Sequence, residues 1–236
     1  MAQVPPTASQ IQASLYPESD GQPMADNTLQ YRWIVRLVTN LQHLLRDKTA
    51  FVAGDLFWYP VLVDHPPVPV QAPDVMVVLG RPAGDRGSYK QWEEENIGPQ
   101  VVFEIISPSN TTREMTAKRS FYDKYGVLEM FFYDPESCDF WGFARSTTDV
   151  AFELVTPLNL PWVSPTLGIR FELSDIGLMV FYPDGKLFED PGDVIQERDQ
   201  ANLKLSRALE TQQETQAKLE QALAKLKELG IDPEQL

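Results

Sequence analysis

Cysteine is nearly absent: Cys138 stands alone in 236 residues. A single thiol closes no intrachain disulfide and makes a thiolate zinc site implausible, which agrees with a reducing compartment. Long apolar runs are missing too, none approaching the roughly 18 residues of a membrane span. The N-terminal stretch is polar and proline-rich, without the basic and apolar regions of a signal peptide. Together these absences predict a soluble, cytoplasmic protein with no membrane attachment. Histidine is scarce. His43 lies in an apolar-rich helix and His65 in a proline-rich loop, neither within a ligand pattern, so structural or solvated roles are expected. Positive charge is the last shortage: 20 Lys and Arg against 34 Asp and Glu leave a net charge of −14. Non-specific DNA affinity comes mainly from Lys and Arg neutralising phosphates, which argues against a protein that simply coats nucleic acid. Any phosphodiester chemistry must use a local basic patch or a metal ion.

What is present is enough for a full core, since 43% of residues are hydrophobic. Residues 1–25 carry PP, SD, DG and QP punctuation and read as an arm. Asp26 and Asn27 can cap a helix to about Arg46, with Tyr31, Ile34, Val35, Val38, Leu41, Leu44 and Leu45 at helical spacing. FVAGDLFWYPVLV (51–63), PDVMVVLG (73–80) and residues 100–106 then read as three strands. SYKQWEEEN, between the second and third, is polar enough for a surface loop or short helix with solvated glutamates. A helix is expected over 112–125, stopped at Gly126. LEMFFYD gives a fourth strand, DPES a turn, and CDFWGFAR and AFELV further antiparallel strands.

The order helix, three strands, helix, strand and β extension is an α/β domain, placed at 26–190. Residues 191–236 differ in kind. Leu205, Leu209, Leu219, Leu223 and Leu226 fall on a 3-4 seam whose intervening positions are Gln212 and Gln216, the signature of a coiled coil. An amphipathic helix packed on its own domain is the alternative; the charged remaining faces favour self-association as a homodimer or higher homo-oligomer.

The stretch VVFEIISPSN (101–110) carries the chemistry. Glu104 sits inside an apolar strand, and buried carboxylates are rarely left unpaired. Met115, Lys118, Tyr122 and Tyr125 recur at +3, +4 and +3, so Lys118 shares the helical stripe expected to face the sheet and can reach Glu104. Asp74 opens the second strand after Pro73, and pairing of that strand with 100–106 brings a second carboxylate to the same place. Two carboxylates in a desolvated cleft repel one another, and Mg²⁺, which takes hard oxygen ligands, resolves that repulsion. The alternative is structural: Asp74 capping a turn and Glu104–Lys118 forming a buried ion pair.

The pattern αβββαβ, with PD at 73–74, a glutamate within an apolar strand and a downstream lysine, resembles the PD-(D/E)xK nuclease superfamily and its restriction-endonuclease-like fold. More closely, YPESDGQPMADN, AGDLFWYP, APDVMVVLG, VVFEIISPSN, the Lys118-to-Tyr122 spacing, YGVLEMFFYDP and LGIDP resemble one bacterial family of restriction endonuclease-like proteins, long classed as a domain of unknown function. The resemblance covers nearly the whole chain. It implies a mixed sheet, with Asp74 as the metal-binding aspartate, Glu104 as the (D/E) carboxylate and Lys118 as the catalytic lysine. Ile106 occupies the position where the superfamily usually has its lysine, so that function moves to Lys118 on the helix. Asp26 and Asp55 are candidate auxiliary acids.

On this resemblance Asp74, Glu104 and the Ile105 carbonyl are expected to hold Mg²⁺, with Mn²⁺ as a substitute, and Lys118 to orient or help deprotonate the attacking water. Arg113 and Arg119 flank Lys118 and are candidates for the local basic patch, or else helix-surface charges. Ser107 and Ser109 lack a histidine to activate them, so capping or turn chemistry is expected. The implied reaction is hydrolysis of DNA phosphodiester bonds. A catalytically silent nuclease fold that assembles through its tail is the rival, and a regulatory nucleic-acid-binding protein is disfavoured by the net charge.

Overall fold

The computed structural model describes residues 15–228 except 20 and 22. Residues 1–14 of the expected arm and the LGIDP motif at 229–233 lie outside the described residues. The chain divides into two compact units, residues 1–189 and 190–236.

The first unit opens with α1 (Thr28–Leu44), where the Asn27 side chain accepts hydrogen bonds from the amides of Leu29 and Gln30 and so caps the helix. Ile34, Leu37 and Leu41 form its buried stripe. Five strands follow: β1 (Ala50–Ala53), β2 (Trp58–Tyr59), β3 (Val75–Leu79), β4 (Tyr89–Lys90) and β5 (Val101–Ile105). After α2 (Thr112–Lys124) come β6 (Glu129–Asp134), β7 (Asp139–Ala144), β8 (Glu153–Val155), β9 (Trp162–Val163), β10 (Arg170–Ser174) and β11 (Gly177–Phe181). The main sheet runs β1-β3-β5-β6-β7-β8. It is mixed: β5 and β6 are parallel, joined by the α2 crossover, while the other neighbours are antiparallel. The expected αβββαβ core with its β extension is therefore present.

The sequence stretch 51–63 is two strands, not one. Asp55 takes a left-handed φ of 46°, and a Cβ on Gly54 would come within 3.1 Å of Ile34 and Val38 on α1. Close approach of the helix fixes the break, after which β2 leaves the main sheet to pair with β4. The glutamates of SYKQWEEEN are not all solvated either. Glu94 is half-buried and accepts from Arg81 Nε at 2.9 Å and Arg86 Nε at 2.6 Å, while Glu93 and Glu95 are exposed.

Side-chain alternation sorts the sheet into two cores. Val75, Val77, Val101, Phe103 and Ile105 face α1 and a second sheet of β9, β10 and β11, in which Phe171 packs on Phe103, Phe131 and Phe140. Met76, Val78, Val102 and Phe132 face the other way, against Tyr122 of α2 and Trp58 of β2. Glu104 is two residues after Val102, so it too points toward α2.

The second unit is α3, a 38-residue helix over Pro191–Glu228. Leu205, Leu209 and Leu219 of its seam are exposed. Among the described residues no helix is long and apolar enough to cross a membrane.

Candidate active site

Three elements converge at the C-terminal end of β5. Glu104 is 1% exposed. Its Oε2 accepts a hydrogen bond from Lys118 Nζ at 2.6 Å, and its Oε1 accepts one from the Tyr122 hydroxyl. Both donors come from α2, one turn apart. The helix starts where it must to present them because Thr111 and Glu114 form a capping box, each side chain bonded to the other's backbone N–H. Gly126, at φ 87°, follows the helix and turns the chain toward β6.

Asp74 is 8% exposed, and its Oδ2 accepts from the Ile105 amide at 2.6 Å. That bond fastens the residue before β3 to the end of β5, beside Glu104. Burial, and secondly the Glu104 charge, push the Asp74 carboxyl up to about 7, against the opposing pull of Lys118 and the Ile105 hydrogen bond. For Lys118, burial is the largest influence and acts against the ammonium. The carboxylates of Glu104, Asp74 and Asp55 together outweigh it and raise the lysine above its usual range. Lys118 is therefore a cation at neutral pH.

The two auxiliary candidates separate. Asp26 accepts from the hydroxyls of Ser107, at 2.5 Å, and Ser109, which hold its carboxyl below the usual carboxylate range. It thereby clamps the start of α1 to the SPSN turn. Asp55 is electrostatically linked to both Asp74 and Lys118, and its amide donates to the carbonyls of Pro73 and Asp74. Asp55, unlike Asp26, lies in the electrostatic field of Asp74 and Lys118.

Gln30 is a site neighbour that sequence reasoning missed. It is buried on α1, donates from Nε2 to the Ile105 carbonyl at 2.9 Å and accepts from the Asp26 amide at 2.8 Å. Its signal was a polar side chain four residues before Ile34 on the buried stripe, the same anomaly that marks Lys118. Gln30 uses one lone pair of the Ile105 carbonyl and leaves the other for a further partner. Arg119 is exposed, with its guanidinium 4.2 Å above the Phe143 ring, and Arg113 is exposed on α2. His43 packs its ring against Tyr182, and His65 is exposed.

The donor set suits a hard cation: two carboxylates and a carbonyl, all oxygen. Among the described residues no group of three or more His, Cys, Asp or Glu side chains forms a metal cluster. A cation here would thus complete its shell with water or substrate oxygens, as Mg²⁺ commonly does.

A putative nuclease of the DUF820 group from Anabaena variabilis resembles this chain at 16% identity and a TM-score of 0.46, covering 70% of this chain and 92% of the other. No curated protein matches. The family model Uma2, described as "putative restriction endonuclease", matches residues 19–174. With a match running from the arm to the end of β10, the chain belongs to the Uma2 family of restriction endonuclease-like proteins.

Proposed function

We propose that the protein is a divalent-cation-dependent endonuclease that hydrolyses DNA phosphodiester bonds, with Asp74, Glu104 and Lys118 as its catalytic residues. The observation that carries this reading is the buried meeting of Lys118 and Glu104 at 2.6 Å beside the second carboxylate of Asp74. A purely structural Lys118–Glu104 pair requires no second carboxylate, and the charge of Asp74 beside it raises the free energy of the fold unless a further cation or a proton offsets it.

Asp74, Glu104 and the Ile105 carbonyl would hold Mg²⁺ or Mn²⁺, which when bound lowers the pKa of a coordinated water and neutralises charge on the phosphate. Lys118, held as an ammonium, is suited to orienting the attacking water and to stabilising negative charge as it develops on the phosphate. It is poorly suited to accepting a proton. Tyr122 fixes the rotamer of Glu104 through its hydroxyl, and Gln30 fixes the direction of the Ile105 carbonyl.

The test is incubation of purified protein with supercoiled plasmid and with single-stranded and branched DNA, in Mg²⁺, Mn²⁺ or chelator. Cleavage is expected only with metal and is expected to vanish in Glu104→Gln. Activity persisting in that variant assigns the cleavage to a contaminant or another site.

Residues 26–190 form the catalytic domain on this reading, preceded by the arm at 1–25. The tail helix over Pro191–Glu228 forms a coiled coil that joins two copies, a reading supported by the exposed Leu205, Leu209 and Leu219. The single cysteine supports a cytoplasmic setting. If no substrate is cut and no metal binds, that seam favours the second reading, a silent nuclease fold used for assembly. Truncation after Asp190 is expected to lower the mass found by light scattering to that of one chain. Equal mass per particle for both forms refutes self-association through the tail.

A further inference from the structure

Beside Lys118 the domain has an open cleft of about 560 Å³, bounded by Phe57, Tyr59, Val70, Gln71 and, from the arm, Leu15. Its walls are firmly held. The Tyr59 hydroxyl donates to the Pro17 carbonyl at 2.6 Å, and its ring meets Tyr16 and Phe57 edge-on. Gln71 exchanges both backbone hydrogen bonds with Trp58, which anchors the chain three residues before Asp74. The Gln71 side-chain amide makes no hydrogen bond among the described residues. A cleft lined by Phe57, Val68, Val70 and Ala72, with Gln71 and Lys118 as its polar members, has the character of a small-molecule site.

We infer that this cleft is a subsite for one unpaired nucleobase next to the scissile phosphate, which makes single-stranded or flapped DNA, rather than intact duplex, the substrate class. The inference rests on the reading of the trio as a nuclease site. A phosphate at Lys118 carries its neighbouring base into the adjoining cleft. The partly exposed Phe57 ring and the apolar Val70 can take up a base of any identity by stacking and packing, and Gln71 supplies polar atoms for a base edge. A base stacked within a duplex cannot enter without leaving its partner. The net charge of −14 points the same way. Duplex affinity draws on many phosphate contacts, whereas a buried base supplies affinity without them.

Fluorescence anisotropy in Ca²⁺ tests the subsite independently of cleavage. The probes are a labelled single strand, the same strand with abasic sites throughout, and the matching duplex. The single strand is expected to bind at least about tenfold more tightly than either of the others. Val70→Trp, which fills the cleft, and Phe57→Ala, which removes a wall, are both expected to erase that preference while circular dichroism shows a folded chain. Duplex or abasic binding as tight as that of the single strand overturns the subsite, as does an unchanged preference in whichever variant is folded, or no binding by any probe. Cleavage is followed separately in Mg²⁺. Base-dependent binding without cleavage of any substrate rejects the nuclease reading and leaves the subsite standing; cleavage of single strand and duplex at equal rates, unaffected by Val70→Trp, does the reverse.

Discussion

Glu104 and Glu129 occupy adjacent parallel strands and are both 1% exposed, yet their surroundings differ completely. Glu129, at the start of β6, accepts from the Ser164 hydroxyl at 2.5 Å and the Thr166 amide at 2.7 Å. Its donors are neutral. Glu104, near the end of β5, accepts from an ammonium and a phenol and has a second carboxylate for a neighbour. Burial of a carboxylate is therefore no mark of a site. What distinguishes Glu104 is a like charge held beside it and a cation provided to offset part of the repulsion. Position in the sheet accounts for this: ligands of α/β folds gather at the carboxyl ends of parallel strands, where the chain leaves for its crossover helix.

The widest separation between the two glutamates is expected in catalysis. Glu104→Gln should lower metal-dependent cleavage by roughly a thousandfold or more, in line with removal of a group that acts on the transition state. Glu129→Gln should leave the rate per folded molecule within about threefold of the parent, because nothing near it reaches Lys118. Equal losses in both variants, measured on samples matched for folded fraction, erase the distinction.

Lys118→Met sharpens the reading of the pair itself. It keeps the packing of the stem and removes the charge, so a catalytic Lys118 predicts a folded variant that still binds metal in calorimetry and loses most cleavage. A purely structural partner predicts instead a stability loss of about 3–5 kcal/mol, with activity falling only as the folded fraction falls. Denaturant unfolding followed beside the rate decides between them.

A third contrast is in pH. In the metal-free folded chain the Asp74 carboxyl is raised to about 7, whereas in the unfolded chain it titrates near about 4. The native state holds this proton more tightly. Its contribution to stability is full below the unfolded value and is lost as pH rises through about 7. Asp74→Asn, which keeps an acceptor for the Ile105 amide, should thus gain on the parent by roughly 2–3 kcal/mol between about pH 5 and 8 in chelator. A constant difference across that range means Asp74 is an ordinary carboxylate. Glu129→Gln should lose about 1–3 kcal/mol in denaturant unfolding, since the Ser164 hydroxyl or the Thr166 amide loses its charged acceptor.

The smallest effect is expected at Gln30. Gln30→Leu leaves the Ile105 carbonyl and the Asp26 amide without their partners and should cost about 1–2 kcal/mol in denaturant unfolding. No change there means that water replaces the amide.

Much of this arrangement was legible along the chain. Lys118 stood out because a charged residue on an apolar helical stripe is rare, and Glu104 because an acid within an apolar strand requires a partner. The hydroxyl of Tyr122 was on the same stripe, yet nothing in its spacing distinguished a core tyrosine from one that bonds Glu104. Gln30 escaped notice because an amide raises no electrostatic alarm. The break at Gly54 and Asp55 was hidden as well, since the reason for it is the approach of Ile34 and Val38 from a helix some twenty residues away. Glu94 read as solvated because Arg81 and Arg86, which enclose it, lie in a loop with no periodicity to place them.

The sequence by itself determined what is periodic and local: α1 with its Asn27 cap, the two-residue alternation that turns Glu104 toward α2, the capping box that starts α2, and the leucine seam of α3. Hydrogen bonding and side-chain direction within one element depend on near neighbours, so they are written in spacing. Tertiary structure alone decided which buried glutamate met an ammonium and which met a serine, which aspartate joined the trio and which clamped the SPSN turn. Those outcomes depend on residues far apart in the chain, and only the packing of strands, crossover helix and second sheet brings such partners within hydrogen-bond reach.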